Sequence, residues 1–507
     1  MGRRRPCGHT SGPRPTRQVI QTFPDKAEDK CGVVGIHTER DASSYLYASL
    51  RILQHRGQNS AGIAVSTEDE SIKAVRGMGL AHEVFNSENL SSLSGRSGIG
   101  HVRYPTTGDD MLENVQPLVL SSGMGDIALA HNGDIVNSEA LRERLENEGW
   151  AFFSTTDTEL VIRMIVNELK DLADPVKAVR NALKRIEGGY AFTLMIGSRV
   201  YGIRDPLGIR PLCLGKVPGG YAVASESVVF DMLGGKLIRD VMPGEMVELT
   251  AGDYVSYPSP SGGERANCMF EYVYFARPDS IMDGKSVFDV RIEVGKMLAR
   301  EHPAEADVVI PVPDSGRTHA IGFCEESGIP LSEGLMKNRF VERTFILPDQ
   351  DAREASVRMK LNPIRSVVRG KRVVIIDDSI VRGTTMLKIV QMVREAGATE
   401  VHVRIGCPRI IAPCYYGIDM KTRNQFIATG RSEEDIAREI TADSLGYISV
   451  DGLVRAIGSK QSELCLGCVT AEYPTKVPGE RMRFQRSLES FQQASAGKRA
   501  VSSRIDS

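Results

Sequence analysis

Two adjacent carboxylates, Asp377 and Asp378, follow an unbroken apolar run at residues 373–376. Such a run is typical of a strand buried on both faces of a parallel sheet. A short loop containing Gly383 and a helical pattern over residues 386–396 come next. Ligands of open parallel sheets bind at the carboxyl ends of strands, and a loop that opens a helix offers backbone N–H groups to phosphate. The stretch therefore predicts a phosphate site whose carboxylates face sugar hydroxyls or a metal ion. An ordinary solvated turn would also explain the acidic pair alone.

Cysteines are the second kind of reactive side chain. Nine cysteines in a chain of 507 residues are not a disulfide framework, and in a reducing compartment they are catalytic, metal-binding or core residues. Cys465 and Cys468 form a C-x-x-C pair, which alone fits zinc, a redox pair or chance. Cys31 begins an apolar stretch behind an Arg- and Pro-rich leader, residues 1–30. This leader predicts disorder and lacks the apolar segment of an export signal.

The composition limits the partners of the chain. Hydrophobic residues make up 41% and charged residues 25%, which is ordinary for a soluble globular protein with two or three domains. The net charge of −2 gives no electrostatic reason to expect nucleic acid. No apolar run approaches the roughly 20 residues that span a bilayer. We therefore expect a cytoplasmic protein with neither a nucleic-acid nor a membrane partner.

The elements that must position these residues change character along the chain. The N-terminal half has short apolar strands with glycine turns and helical stretches near residues 138–148 and 158–172. From about residue 268 onward strands alternate with helices, as in a helix at 289–300 and strands at 308–312 and 400–405, which is typical of an α/β domain. The order of the strands does not follow from the sequence.

Residues 373–385 resemble the phosphoribosyl pyrophosphate (PRPP) motif of type I phosphoribosyltransferases. The resemblance implies that the two acids bind the ribose hydroxyls together with Mg²⁺ and that the loop holds the 5′-phosphate. It adds Ser315, from the second strand-to-loop turn at residues 311–320, to the Mg²⁺ site, since a hydroxyl and two carboxylates are hard oxygen ligands. A basic stretch from residue 337 to residue 360 resembles a mobile loop that closes over PRPP. The PRPP-binding residues implied are Lys337, Arg343, Asp377, Asp378, Ser379, Arg382, Gly383, Thr384 and Thr385.

Four motifs follow Cys31, namely QHRGQNSAG at 54–62, GIGHVRYPTT at 98–107, AHNGDI at 130–135 and TTDTE at 155–159. Together they resemble the N-terminal-nucleophile (Ntn) glutamine amidotransferases over roughly residues 31–260. The resemblance implies an α+β domain of four αββα layers and removal of the leader, so that Cys31 becomes the first residue. Its thiol would be the nucleophile, and its own α-amine, with a pKa near ~8, the general base. A structural cysteine behind an irrelevant tail is the alternative.

The same resemblance assigns the glutamine site. Asn132 and Gly133 would form the oxyanion hole through a side-chain amide and a backbone N–H. Arg103 and Asp157 would hold the α-carboxylate and α-amino groups of glutamine, because a guanidinium fork suits a carboxylate and a carboxylate suits an ammonium. The glutamine-binding residues implied are Arg56, Arg103, Thr106 and Asp157. The histidines beside these motifs lack metal-ligand spacing and are expected to pack or hydrogen-bond: His55, His101 and His131.

Residues 268–284, CMFEYVYFARPDSIMDG, join the two signatures. With them the chain resembles the glutamine PRPP amidotransferase family from residue 31 to about residue 475. The expected organisation is a cleaved propeptide at 1–30, an Ntn glutaminase domain at 31–265, a type I phosphoribosyltransferase domain at 266–475 and a tail at 476–507. The family implies transfer of ammonia from glutamine to PRPP, giving 5-phosphoribosylamine in purine synthesis. It also implies purine nucleotide inhibitors, a homotetramer, and a linker with Tyr272, Tyr274 and Arg277 that couples the sites.

Four cysteines resemble the ligand set of the leader-processed subgroup of that family, which carries a [4Fe–4S] cluster. They are Cys268, Cys414, Cys465 and Cys468. A structural zinc site uses the same donors and stays an alternative to the cluster. Two other functions also stay open. The chain could be another Ntn amidotransferase, such as a glucosamine-6-phosphate synthase, or a PRPP-sensing regulator without catalysis.

Overall fold

The computed structural model describes residues 31–104, 111–259, 263–338, 361–420, 423 and 426–478. The leader, Thr106, Arg343 and all but the first three residues of the expected tail lie outside the described residues. The expectations placed on them therefore stay predictions.

Two antiparallel sheets form the centre of the N-terminal domain. Their strands are β1 Cys31–Thr38, β2 Ser60–Ser66, β3 Ile72–Met78, β4 Ser97–Arg103, β5 Leu118–Ser122, β6 Gly125–Ile135, β7 Gly188–Ile196, β8 Arg199–Arg204, β9 Cys213–Val217, β10 Gly220–Ala224, β11 Lys236–Asp240, β12 Met246–Leu249 and β13 Tyr254–Tyr257. Among the described residues the first sheet has the order β11-β9-β10-β1-β4-β2-β3 and the second the order β13-β12-β8-β7-β6-β5.

Helices cover the outer faces of both sheets. They are α1 Ala42–Ile52, α2 Ala81–Val84, α3 Ser87–Ser91, α4 Ser138–Asn147, α5 Asp157–Asp171, α6 Pro175–Leu183 and α7 Val228–Met232, with 3₁₀ turns at Leu53–Arg56 and Leu112–Asn114. Helix α1 packs on β1 and β4 of the first sheet, and α5 packs on β6 of the second. These layers are the αββα arrangement expected from the sequence.

Strand β1 shows why the layers pack in this order. Its side chains point alternately to the two faces of the sheet. Val33 belongs to the apolar core between the two sheets, whereas Val34 and Ile36 belong to the core that includes Leu46 and Leu50 of helix α1. Because apolar residues occupy both sets of positions, the strand must be covered on both faces, and Cys31 at its start is itself 6% exposed.

The strands of the C-terminal domain are β14 Asn267–Cys268, β15 Ile281–Met282, β16 Lys285–Ser286, β17 Val308–Pro311, β18 Leu335–Lys337, β19 Leu361–Pro363, β20 Arg372–Asp377, β21 Glu400–Ile405, β22 Ser444–Tyr447 and β23 Leu464–Cys465. In the described part of the domain, four of them form a parallel sheet in the order β17-β20-β21-β22. Its helices are α8 Val287–Glu301, α9 Gly316–Ser327, α10 Arg365–Val368, α11 Thr384–Glu395, α12 Glu433–Glu439, α13 Val450–Ile457 and α14 Gly467–Thr470, with a π-helical turn at Glu271–Phe275 and a 3₁₀ turn at Gln461–Glu463.

Strand β20 is the centre of this sheet. It pairs in parallel with β17 on one side and β21 on the other, and residues 373–377 are all buried. The expectation of a strand covered on both faces is confirmed. None of the helices in the described ranges has the length and apolar character needed to cross a membrane.

Candidate active sites

Cys31 lies at the end of the first sheet at which β1 begins and β4 finishes. It is the register partner of Arg103, and Ser60 of β2 faces Arg103 from the other side. The side chain of Arg103 is 3% exposed. The antiparallel pairing thus brings the expected nucleophile next to the arginine expected to bind the α-carboxylate of glutamine.

Asn132 and Gly133 lie on β6 of the second sheet, which faces this end of the first sheet. Two contacts join the sheets here. The ring Nε2 of His101 is 3.1 Å from the carbonyl oxygen of His131. The hydroxyl of Ser225 accepts from the backbone N–H of Val33 at 3.0 Å and from Nδ2 of Asn132 at 3.5 Å. These contacts hold the expected oxyanion hole against the strand that carries Cys31.

The histidines are hydrogen-bonded, as expected. Burial, and then the nearby charge of Arg103, lowers the pKa of His101 to about 3, so this ring is neutral. The Nε2 proton therefore faces the carbonyl of His131. His55 contacts Glu226 through Nε2 at 2.7 Å.

Asp157 is the first residue of α5, where the helix dipole favours a negative charge. One carboxylate oxygen is 3.3 Å from Nδ1 of His131, and the other accepts from the N–H of Ile135 at 3.0 Å. Burial alone would raise the pKa of Asp157, but the nearby His131 and these hydrogen bonds leave it lowered. The carboxylate that is expected to bind an ammonium group is therefore kept ionised.

A buried network of charges, which the motifs did not predict, stands behind Cys31. The guanidinium of Arg56 donates from Nε to the carbonyl of Cys31 at 3.2 Å, from Nη1 to Glu226 at 2.5 Å and from Nη2 to Glu271 at 2.7 Å. Arg210 reaches the same carboxylate oxygen of Glu271 at 3.4 Å. All four side chains are at most 1% exposed. Arg56 lies beside the cysteine, as the resemblance implies, and holds its backbone. Its part in binding glutamine stays a prediction.

The expected sugar-phosphate site lies where the adjacent parallel strands β17 and β20 end, with their carboxyl ends side by side. Asp377 ends β20, and Ser315 lies directly before Gly316, the first residue of α9. A Cβ on Gly316 would be 2.4 Å from the carbonyl oxygen of Ile376 and 3.4 Å from the Cα of Asp377. Glycine lets the two turns touch, so Ser315 lies near the acidic pair.

The acidic turn itself is tightly hydrogen-bonded. Asp377 accepts from the N–H of Asp378 at 2.9 Å, and Asp378 accepts from the hydroxyl of Ser379 at 2.7 Å. Gly383 adopts φ +83° and precedes α11, whose first residues are Thr384 and Thr385. The loop therefore directs the N-terminus of α11 to the carboxyl edge of the sheet, as the sequence predicts.

Two of the three basic residues expected to bind PRPP, Lys337 and Arg382, lie in the described part of the chain. Lys337 donates from Nζ to Asp314 at 2.9 Å. Arg382 follows the acidic turn and is partly buried. Arg343 lies outside the described residues, so its part in binding pyrophosphate stays a prediction.

The four cysteines expected to bind one cluster come together between the domains. Cys268 and Cys465 are register partners in the short parallel pair β14–β23. With Cys414 and Cys468 they line one cavity, to which Arg210, Tyr416 and Tyr473 also contribute. The backbone N–H of Tyr416 points to the sulfur of Cys414 at 3.3 Å. No disulfide joins any of the cysteines in the described part of the chain.

Burial sets the protonation of three of these cysteines. It raises the pKa of Cys465 to about 12 and the pKa values of Cys268 and Cys468 well above their usual range. These three thiols therefore stay protonated unless a metal displaces the protons. Within the described ranges no three His, Cys, Asp or Glu side chains converge on a position for one metal ion.

The cavity is next to the glutamine site. The loop that carries Cys414 continues to Gly417, where φ is +108° and an added Cβ would be 2.9 Å from the Cα of Gly133. The cysteine loop therefore packs directly on the strand of the expected oxyanion hole.

Comparison with known proteins identifies both halves. Residues 101–231 match a glutamine amidotransferase domain and residues 290–407 a phosphoribosyl transferase domain. An amidophosphoribosyltransferase of Methanocaldococcus jannaschii is 50% identical over 89% of this chain and 99% of its own length, and that of Bacillus subtilis is 47% identical over 89% and 95%. The chain belongs to the amidophosphoribosyltransferase family.

Solved structures agree with this assignment. Glutamine PRPP amidotransferase from B. subtilis, complexed with ADP and GMP, matches with a TM-score of 0.83 and 46% identity over 88% of this chain and 98% of that one. An allosteric regulatory enzyme of purine biosynthesis matches with a TM-score of 0.84, also at 46% identity, over 88% and 97%.

These matches confirm the fold class and the enzyme expected from the sequence. An Ntn-type glutamine amidotransferase domain precedes a phosphoribosyltransferase domain, and the chain is an amidophosphoribosyltransferase, a glycosyltransferase-type enzyme of purine biosynthesis. A glucosamine-6-phosphate synthase is excluded because a phosphoribosyl transferase domain stands where sugar-isomerase domains would be needed. The curated relatives reported above are named as enzymes rather than as regulators without catalysis.

Proposed function

We propose that this amidophosphoribosyltransferase hydrolyses glutamine at Cys31 and uses the ammonia at C1 of PRPP, which gives 5-phosphoribosylamine, glutamate and pyrophosphate. One observation carries the proposal. Both sites occur in one chain, and the charged segment that contains Glu271 joins them. Cys31 begins the strand that Ser225 links to Asn132 on the facing sheet, and Glu271 binds Arg56 behind Cys31. Asp377 ends β20 beside the Gly316 turn.

The glutamine half-reaction uses residues of both sheets. The Cys31 sulfur attacks the side-chain amide, and its α-amine, once the leader has been removed, takes up the proton. Nδ2 of Asn132 and the N–H of Gly133 stabilise the negative charge that develops on the amide oxygen. Ammonia leaves, and water then releases glutamate from the thioester at Cys31.

The sugar half-reaction takes place at the edge of the parallel sheet. Ammonia that reaches this edge attacks the anomeric carbon of PRPP, and pyrophosphate leaves. The N-terminus of α11 and the hydroxyls of Thr384 and Thr385 would bind the 5′-phosphate. Asp377, Asp378 and Ser315 would hold Mg²⁺, which neutralises pyrophosphate charge when bound and prefers such oxygen ligands.

The four-cysteine cavity supports a [4Fe–4S] cluster with a structural role. A [4Fe–4S] cluster takes four cysteine thiolates, and structural Zn²⁺ can take the same set. We propose the cluster because the resemblance to the leader-processed subgroup implies it and because the four cysteines line one cavity. Iron and sulfide analysis of anaerobically purified protein tests this, and an active, colourless, iron-free sample would refute it.

Purine nucleotides are the proposed inhibitors. The B. subtilis structure contains ADP and GMP. A nucleotide 5′-phosphate can occupy the same loop as the phosphate of PRPP, so inhibition should weaken as PRPP rises. A homotetramer in the cytoplasm, with the leader removed, completes the proposal. Light scattering and N-terminal sequencing test the oligomer and the leader.

The central experiment measures pyrophosphate release with PRPP and either glutamine or ammonia as nitrogen donor. Cys31→Ala should abolish glutamine-dependent release and leave ammonia-dependent release intact. Asp377→Asn should damage both. Absence of PRPP-dependent pyrophosphate release by the unaltered enzyme would reject the proposed reaction.

A further inference from the structure

The amide of Asn132 is held from behind by a buried arginine. Nη2 of Arg210 donates to Oδ1 of Asn132 at 2.8 Å, and both side chains are fully buried. An amide can present either its oxygen or its nitrogen to a neighbour, but a guanidinium has donors only. Oδ1 must therefore face Arg210, which leaves Nδ2 on the other side of the amide. One of its two hydrogens faces the hydroxyl of Ser225, and the second can face a substrate. This is the orientation that an oxyanion hole requires.

Arg210 is in turn held by the segment between the two domains. Its Nη2 is 3.4 Å from Oε1 of Glu271, and the same oxygen accepts from Arg56 at 2.7 Å. With Glu226 the network contains two cations and two anions, all nearly inaccessible to water. Removing one member of such a network leaves an uncompensated buried charge, which is strongly unfavourable. Glu271 thus helps to fix the position of Arg210.

Glu271 opens the π-helical turn Glu271–Phe275, whose neighbours belong to the C-terminal domain. Arg291 of α8 donates to the carbonyls of Tyr272 at 2.7 Å and Ala276 at 2.8 Å. The residue that fixes Arg210 is therefore itself held in place by the phosphoribosyltransferase half.

We propose that Arg210 is a positioning residue of the glutaminase site. It fixes the Asn132 amide with Nδ2 toward the substrate, and Glu271 makes that orientation depend on docking of the C-terminal domain. The inference rests on the proposed role of Asn132 in the oxyanion hole. Arg210 touches no reacting atom in this scheme, so its whole effect on the rate passes through Asn132.

A double-mutant cycle tests the inference. We would compare Asn132→Ala, Arg210→Met and the double variant in the full-length enzyme, with kcat and KM for glutamine hydrolysis and the ammonia-dependent rate as readouts. Removing an oxyanion donor costs ~100-fold or more in kcat, and misorienting it should cost ~10- to 100-fold. We expect Arg210→Met to lower kcat with little change in KM, to spare ammonia-dependent turnover, and to add nothing to Asn132→Ala.

Further variants separate positioning from folding. Glu271→Gln keeps the size of the side chain and should lower the same kcat, again sparing the ammonia-dependent rate. Arg210→Lys keeps the charge without the fork and should recover part of the loss. Arg239→Met removes a guanidinium that is paired with Glu245 elsewhere in the same domain, and should leave kcat unchanged.

The outcomes are distinct. If Asn132→Ala keeps full glutaminase activity, the proposed oxyanion hole is wrong. If Asn132→Ala is impaired but the losses of the two single variants multiply in the double variant, the positioning role of Arg210 is wrong. Equal losses of glutamine- and ammonia-dependent turnover in both Arg210→Met and Glu271→Gln would also overturn it, because they indicate a general structural defect.

Discussion

Glu226 connects several segments behind Cys31. It binds His55 and Arg56 from the N-terminal motif and accepts from the N–H of Arg277 at 2.9 Å and the hydroxyl of Ser280 at 2.7 Å. Burial opposes ionisation of Glu226, but the charges of His55 and Arg56 outweigh it and leave the pKa well below its usual value. A lowered pKa in the folded state means that the carboxylate stabilises the fold above the unfolded pKa, and that this contribution is lost as the pH falls.

We therefore expect Glu226→Gln to reduce the free energy of unfolding at pH 7 by about 3 kcal/mol or more, since Arg56 would lose one of its buried partners. The difference between wild type and variant should shrink as the pH falls below about 4.5. Urea denaturation at pH 7 and pH 4 measures both effects. Glu326→Gln is the control, because the Glu326–Arg300 pair is exposed to solvent and contributes little to the stability of the fold. A difference that is the same at both pH values would contradict the explanation.

The residues that sequence reasoning found and those it missed differ in one physical respect. Cys31, Asn132 and Asp377 belong to local motifs, so their neighbours in sequence mark them. The partners of Arg56 lie 170 and 215 residues away along the chain. Only the tertiary fold brings Glu226 and Glu271 to it, and no periodicity reports that pairing. The one feature of the sequence that could have indicated this buried network is a charged residue, Arg210, inside an apolar stretch.

Elements were predictable where the pattern is local. The helix expected at residues 158–172 is Asp157–Asp171, and the buried strand before Asp377 is Arg372–Asp377. The order of the strands was not predictable, because β1 lies between β10 and β4 and each of these pairings joins distant segments. Register between such strands depends on packing of both faces, which a single sequence does not display.

The turn between β17 and α9 is the element-scale feature on which the sugar-phosphate site depends. In Gly316→Ala the added Cβ would lie 2.4 Å from a backbone oxygen of β20, so the turn must move away from Asp377. We expect KM for PRPP to rise ~10-fold or more, with glutamine- and ammonia-dependent synthesis equally affected, because a misplaced site loses binding to the substrate.

Gly328→Ala, at the other end of α9, is the matched control. Gly328 has φ +72° and no atom within 4 Å of an added Cβ, so the change strains the backbone without touching the site. It should lower thermal stability slightly and leave KM for PRPP unchanged. Equal effects of the two substitutions on KM would show that the close approach at Gly316 is unimportant for binding.

At the scale of the whole molecule, Arg291 links the two sites. It is 2% exposed, and its guanidinium binds the segment that carries Glu271. Burial lowers the pKa of Arg291 to about 10, while Asp378 is the foremost carboxylate that opposes this effect. Arg291 thus binds the segment that carries Glu271 and is also subject to the charge of Asp378 in the acidic turn.

We expect Arg291→Met to uncouple the half-reactions, because the Glu271 segment would lose two buried hydrogen bonds and its fixed position relative to α8. Glutamate and pyrophosphate are measured in the same reaction. The ratio of glutamate to pyrophosphate should be one in wild type and above one in the variant, while ammonia-dependent synthesis persists.

Arg404→Met is the matched control. Arg404 is also buried and donates to the backbone carbonyls of His302 and Pro303, remote from the Glu271 segment. Its loss should leave the ratio at one. Equal amounts of glutamate and pyrophosphate in Arg291→Met would show that the two sites stay coupled without this arginine.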